Sequence, residues 1–202
     1  AFDAQGRTAG ATAAGAALAY VQSLQQTPLT HISSLRYYSL SNFMQLDEIS
    51  RRNLELIRSI RYGERHGSLL AILDQTQTAM GSRLIQSWLL HPLLDTVEIV
   101  KRQNLIKAFL TNTAYLKDVR SSLHEIGDVS RLVSKLGALR INPRELIALR
   151  SYLLVLGELK ERLRAYNQPL ITALADDLEG FDALADAIGA ALRPQPPLTI
   201  TE

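Results

Sequence analysis

"NPRELIALRSYLLVLGELKERLRAY" (142–166) is the stretch that decides the fold. Asn142 stands where a helix N-cap is wanted, Pro143 suits the first helical position, and Glu145 falls three residues after the cap. Together they form a capping box, in which two orphan backbone donors are satisfied reciprocally. The helix that follows runs to about Tyr166, roughly 36 Å at 1.5 Å per residue. Leu146, Leu149, Leu153, Leu156 and Leu163 keep a 3-4 spacing close to a heptad seam. Leu154, Val155 and Leu159 widen that stripe, so the helix is expected to be contacted on more than one side. Its last turns are charged, with Glu158 four residues before Arg162.

The same signals recur on either side. The Ala-rich segment 8–26 carries Ala17, Leu18, Val21 and Leu24 on one stripe and is stopped by Pro28. Asp47 is a good N-cap for a helix over 48–61, with Ile49, Leu56, Ile57 and Ile60 on one face and Tyr62-Gly63 at its end. Ser68 caps a short helix, 69–74. Thr78 caps 79–90, which His91-Pro92 terminates. Asp95 or Thr96 opens a helix to about 110, and Asn112 or Thr113 another to about 125. Asp128 caps 129–138, with Val129, Leu132, Val133 and Leu136 inward. After Pro169 come helices over 170–178 and 180–192. Only 35–46, with its Tyr and Phe residues and partial alternation, reads as a strand pair. The expected fold is therefore mainly all-α: a multi-helix bundle with one long projecting helix and at most a short β hairpin near 35–46.

Composition agrees. The 202 residues suffice for a genuine core; 47% are hydrophobic and 21% charged, with Leu and Ala dominating the apolar set. There is no cysteine, which excludes disulfides and thiolate metal sites. A net charge of +2 does not by itself argue for nucleic acid. No apolar run approaches the ~18 residues that span a bilayer, so no membrane partner is expected and a cytoplasmic setting is the default. The N-terminus carries neither an initiator Met nor a signal peptide, and the C-terminus stops at what reads as the start of a strand; the sequence reads as a piece of a longer protein.

The chemistry that would make this an enzyme is missing from the sequence. None of His31, His66, His91 and His124 sits three or four residues from a second His or a well-placed carboxylate pair on the same helix, so no metal site is expected. There is neither G-x-x-x-x-G-K-[ST] nor G-x-G-x-x-G. Gly81-Ser82-Arg83 looks like a site, but a nucleophile elbow needs Gly at 80 and 84, where Met80 and Leu84 stand. The structural reading is stronger: Met80, Leu84, Ile85, Trp88 and Leu89 make one apolar face, and Gly81 lets a neighbour approach closely at a helix cost of about 1 kcal/mol. Arg51, Arg52, Arg58, Arg61 and Arg65, interspersed with Glu48, Glu55 and Glu64, read as an ion-paired helix face, or else as a DNA or domain-docking surface. Asn53 falls on the apolar face, where burial would oblige it to find a hydrogen bond.

Taken together, "LDEISRRNLEL" (46–56), "SLLAILDQTQTAMGSRLIQSWLLHPLLD" (68–95) and "IVKRQNLI" (99–106) resemble, in order and spacing, the core or lever region of the MutS family of DNA mismatch repair ATPases. "IGDVSRLVSKLGALRINPREL" (126–146) is similar to the family's next helical stretch, with Asp128, Arg131 and Leu132 in place, and 13–38 to the segment leading in from the connector domain. Ala79 departs from the family, which often carries Pro there. Asn53, Met80, Gly81, Arg83, Trp88 and Pro92 are the motif residues. The resemblance implies a linking helix over 1–27 and a core/lever domain over 28–202, truncated before the clamp insertion. It implies a module that transmits conformational change between an ATPase domain and DNA-gripping domains. By the same resemblance the parent would bind mismatched DNA, use ATP and Mg, form a homodimer and work with MutL. The fragment itself shows neither Phe-x-Glu nor Walker A, so no catalysis and no cofactor are expected of it. A helical protein-interaction scaffold or a weak non-specific DNA-binding module is the alternative.

Overall fold

The computed structural model describes residues 8–24, 32, 42–193 and 195–196. It divides into two compact units, Ala1–Tyr38 and Ser39–Glu202. The described part of the first is one helix, α1 (Thr8–Leu24), in which Ala14, Leu18 and Val21 are the half-buried positions.

The second unit holds α2 (Glu48–Asn53), α3 (Leu69–Leu73), α4 (Ala79–Leu90), α5 (Thr96–Leu110), α6 (Thr113–His124), α7 (Val129–Gly137), α8 (Pro143–Ala165), α9 (Pro169–Asp176) and α10 (Asp182–Ala191). Local chemistry sets their starts. The side chains of Asp47, Ser68, Thr78, Asp95, Asn112, Asp128, Asn142 and Gln168 each accept a backbone N–H from the first turn. At Asn142 the capping box is complete, with Glu145 accepting from the Asn142 N–H in return. The described residues contain no strand; the chain is an all-α bundle.

α8 is the hub of the unit, with α6, α7, α9 and α10 packed on it. Its buried residues are Leu149, Leu153, Leu159 and Leu163. Leu149 and Leu153 form one core with Ala185 of α10, flanked by Leu132, Phe181 and Ile188. Leu159 and Leu163 belong to another, with Ala108 of α5, Val119 of α6, Ile126, and Ile171 and Ala175 of α9. At about 100° per residue the second pair lies about 80° round the helix from the first. The wide apolar stripe thus reflects two cores meeting on one rod.

Three expectations are corrected. The helix expected over 48–61 stops at Asn53. Glu55 takes a left-handed conformation (φ 48°), its N–H bonds Arg52 O at 3.0 Å, and the Leu56 N–H bonds Arg51 O at 3.2 Å. This is a Schellman ending, sealed by burial of Leu56. Ile49 and Ile60 are consequently exposed rather than on one buried face. Asn53, in the last helical position, is exposed and has no buried amide to satisfy. On α7, Val133 and Leu136 face outward, leaving Val129 and Leu132 to contact the core. Of the hairpin expected near 35–46, residues 35–41 lie outside the described residues. Within 42–46 the chain makes an isolated antiparallel bridge from Phe43 to Leu93, with the Met44 N–H on Pro92 O at 2.8 Å.

Candidate functional site

The segment linking α3 to α4 collects the polar groups that drew attention in the sequence. Asp74 caps the end of α3 and its carboxylate is the centre of a knot. Ser82 Oγ donates to Oδ2 at 2.5 Å, Arg65 Nη2 to Oδ2 at 2.5 Å, and Thr76 donates to Oδ1 through Oγ1 (2.6 Å) and its backbone N–H (3.1 Å). The side chain is only 5% exposed. These donors, Ser82 foremost, then Thr76 and Arg65, hold its carboxyl well below the usual carboxylate range. Ser82 therefore spends its proton on a carboxylate, and Arg65 leaves the arginine cluster to neutralise one.

The next residue reaches further. Arg83 makes a two-pronged ion pair with Asp128, Nη1 to Oδ2 at 2.7 Å and Nη2 to Oδ1 at 2.8 Å. Asp128 is at the same time the N-cap of α7, accepting from the Arg131 N–H. Its carboxyl is lowered from an ordinary 3.8 to about 2, chiefly by the Arg83 hydrogen bonds. Arg120 of α6 donates to Gln75 O at 2.8 Å. At the far end of α7, Lys135 pairs with Glu145, the capping-box residue of α8. A relay of charged contacts thus runs from Arg65 through α4 and α7 to the start of α8.

Gly81 sits inside the knot. A Cβ there would lie 3.1 Å from both Thr76 Cβ and Thr78 Oγ1. Those threonines hold Asp74 and the α4 cap, since Thr78 Oγ1 accepts the Gly81 N–H at 2.9 Å. Met80 packs on the α8–α9 core. Trp88 does not turn inward as expected. It is 41% exposed, with the Arg102 guanidinium 3.8 Å above its ring, and α4 has no fully buried residue. A stripe on a helix specifies a face, and among the described helices α4 packs most closely on α3.

The arginine cluster is not a helix face. Arg51 and Arg52 lie on α2; Arg58, Arg61 and Arg65 lie in the folded loop between α2 and α3. Arg51 is half-buried and its Nε has no hydrogen-bond partner among the described residues. Pro92 is half-buried and its carbonyl accepts the Met44 N–H. Among the described residues no three His, Asp or Glu are grouped to hold a metal, and no helix is long and apolar enough to cross a membrane. The relay from Arg83 to Asp128 was not legible, because 45 residues separate the partners.

The acid behaviour of the knot is a testable consequence. Stabilisation from Asp74 is complete above the ordinary carboxylate pKa of about 4 and is lost as pH falls through its lower folded value. Asp128 acts in the same direction. Asp74→Asn is expected to lower stability near neutral pH by about 1.5–3 kcal/mol. It should also flatten the decline below about pH 4. Urea midpoints measured across that range check both; a parallel decline in parent and variant would show that Asp74 is not the titrating group.

Comparison with known sequences agrees with this architecture. The sequence profile of MutS domain III matches residues 49–202. Among curated proteins, the DNA mismatch repair protein MutS of Symbiobacterium thermophilum is 38% identical over 191 residues, covering 95% of this chain and 22% of the relative. That of Syntrophomonas wolfei is 38% identical over 203 residues, 100% of this chain and 23% of the relative. The Streptococcus gordonii protein is 35% identical over 189 residues, 94% and 22%. The chain thus spans less than a quarter of the length of these relatives.

Proposed function

The chain belongs to the MutS family, matching its domain III, and from this premise we propose that it is the core and lever module of a mismatch-repair protein, carrying rearrangements between an ATP-using part and a DNA-gripping part. The observation that carries the reading is α8. One 23-residue helix, about 35 Å long, is a shared wall of two cores and is tied at its start to the charged relay. Packed elements of this kind move as bodies and repack between discrete states. ATP, Mg, mismatched DNA, a second subunit and MutL would then engage other parts of the parent, with residues 1–27 leading into the module and 28–202 forming it.

The test is a set of spin-label distances in a full-length MutS-type protein carrying this segment. Labels at the exposed positions Lys117, Ser151 and Ala187 report within the module. Their mutual distances are expected to stay fixed when nucleotide and mismatched duplex are added, while distances to labels outside change. Internal changes as large as the external ones would overturn the lever. As a module without the motor, the isolated chain is expected to give no ATP turnover above blank.

A further inference from the structure

The loop between α2 and α3 is exposed, charged and tightly held. Its backbone is fixed by Ile60 N–H to Glu55 Oε1 (2.5 Å), Ser59 N–H to Glu64 O (2.8 Å) and Gly63 N–H to Ser59 O (2.9 Å). Leu69 and Leu70 N–H bond Glu55 O and Leu56 O at 2.9 Å each, anchoring the loop to the start of α3. Gly63 and Gly67 supply the left-handed turns (φ 67° and 83°), and Ser59 and Ser68 are buried beneath it. Glu55 is committed to the backbone, and Arg65 to Asp74.

On this scaffold Arg52, Arg58 and Arg61 are exposed, and none forms an ion pair among the described residues. Arg61 lies over the Tyr62 ring at 5.2 Å. Leu54, Ile60 and Tyr62 are each more than half exposed in the same stretch. We propose that residues 52–62 form a docking surface for an acidic protein segment, whose carboxylates meet Arg52, Arg58 and Arg61 and whose apolar side chain covers Ile60 and Tyr62.

Three features favour protein over nucleic acid. Every cation in the stretch is arginine and none is lysine, the bias of protein interfaces, where Arg and Tyr concentrate binding energy. Aliphatic groups alternate with the charges, which a phosphate backbone would leave uncovered. Glu48 and Glu64 flank the stretch in the sequence, where a nucleic-acid track is more uniformly basic. The hydrogen-bonded loop is also preorganised, so binding loses little conformational freedom. This surface stands whether or not the module moves as a lever.

The test titrates the isotopically labelled chain with acetyl-Glu-Asp-Leu-Phe-Glu-Asp-amide, with the peptide carrying Lys for each acid, and with duplex DNA, following backbone amides by NMR. Saturable shifts of the amides of Arg58 to Gly63 are expected with the acidic peptide alone. Arg58→Glu with Arg61→Glu should weaken binding by at least about tenfold. Tyr62→Ala, which leaves the charge unchanged, should weaken it several-fold. Thermal melts of both variants confirm that the fold is kept. No saturable shift, or binding unaffected by charge reversal or by Tyr62→Ala, would overturn the proposal. So would duplex DNA engaging the same amides more tightly than the peptide, which would make this a nucleic-acid surface.

Discussion

Ile171→Ala is expected to cost about 2–5 kcal/mol, measured as a fall in the urea midpoint at unchanged slope. Among the described residues Ile171 is the largest apolar side chain with no exposure at all, and it enters the core where α9 meets the second half of α8. The side chain belongs to one core with Ala108, Val119, Leu159, Leu163 and Ala175, drawn from four helices. Removing three carbons there loses their transfer free energy and leaves a hollow that four helices would have to shift together to fill. Ile72, 71% exposed on α3, is the internal control: truncating it should change stability by less than about 0.5 kcal/mol. Similar costs at the two positions would refute the placement of the core.

Gly127→Ala is the second large effect. A Cβ at Gly127 would overlap the Tyr152 hydroxyl and lie 2.5 Å from Cζ and 2.7 Å from Cε2 of the same ring. The ring is partly buried and packs against the core on α8, so moving it would disturb that packing. Gly127 stands between buried Ile126 and Asp128, so retreat of its backbone would disturb both the core and the ion pair to Arg83. The expected loss is about 1–3 kcal/mol, typical of overpacking. A double-mutant cycle isolates the cause. In a Tyr152→Leu background the same substitution should cost much less, and equal costs in both backgrounds would assign the loss to backbone rather than to the ring.

What was legible in the sequence was local. Asn142, Pro143 and Glu145 announced α8, and Asp47, Ser68, Thr78 and Asp128 announced their helices, because a cap is satisfied by the turn that follows it. The end of α2 was hidden for the opposite reason. Ile57 and Ile60 continue a helical period by chance. The helix is stopped by a left-handed Glu55 and by backbone bonds to residues 69 and 70, which no local pattern encodes. Trp88 shows the limit of periodicity: it identified the apolar side of α4 but not whether anything covers it. Ser82 and Arg83 were read as structural, and their partners, Asp74 and Asp128, 8 and 45 residues away, emerge only in the folded chain.

The turn of the buried face along α8 makes the helix sensitive to length in a way that composition does not reveal. Leu153 and Leu159 stand on either side of Gly157 and serve different cores. A single residue inserted between them would add about 1.5 Å and rotate everything beyond by about 100°. The α9 core would then point away from its partners while the α10 core remained seated. An inserted run of eleven residues, close to three whole turns, would restore the angle but displace α9 by about 16 Å. The spacing in mid-helix is therefore a phase setting between two halves of the bundle, tolerant of many substitutions and of almost no change in count.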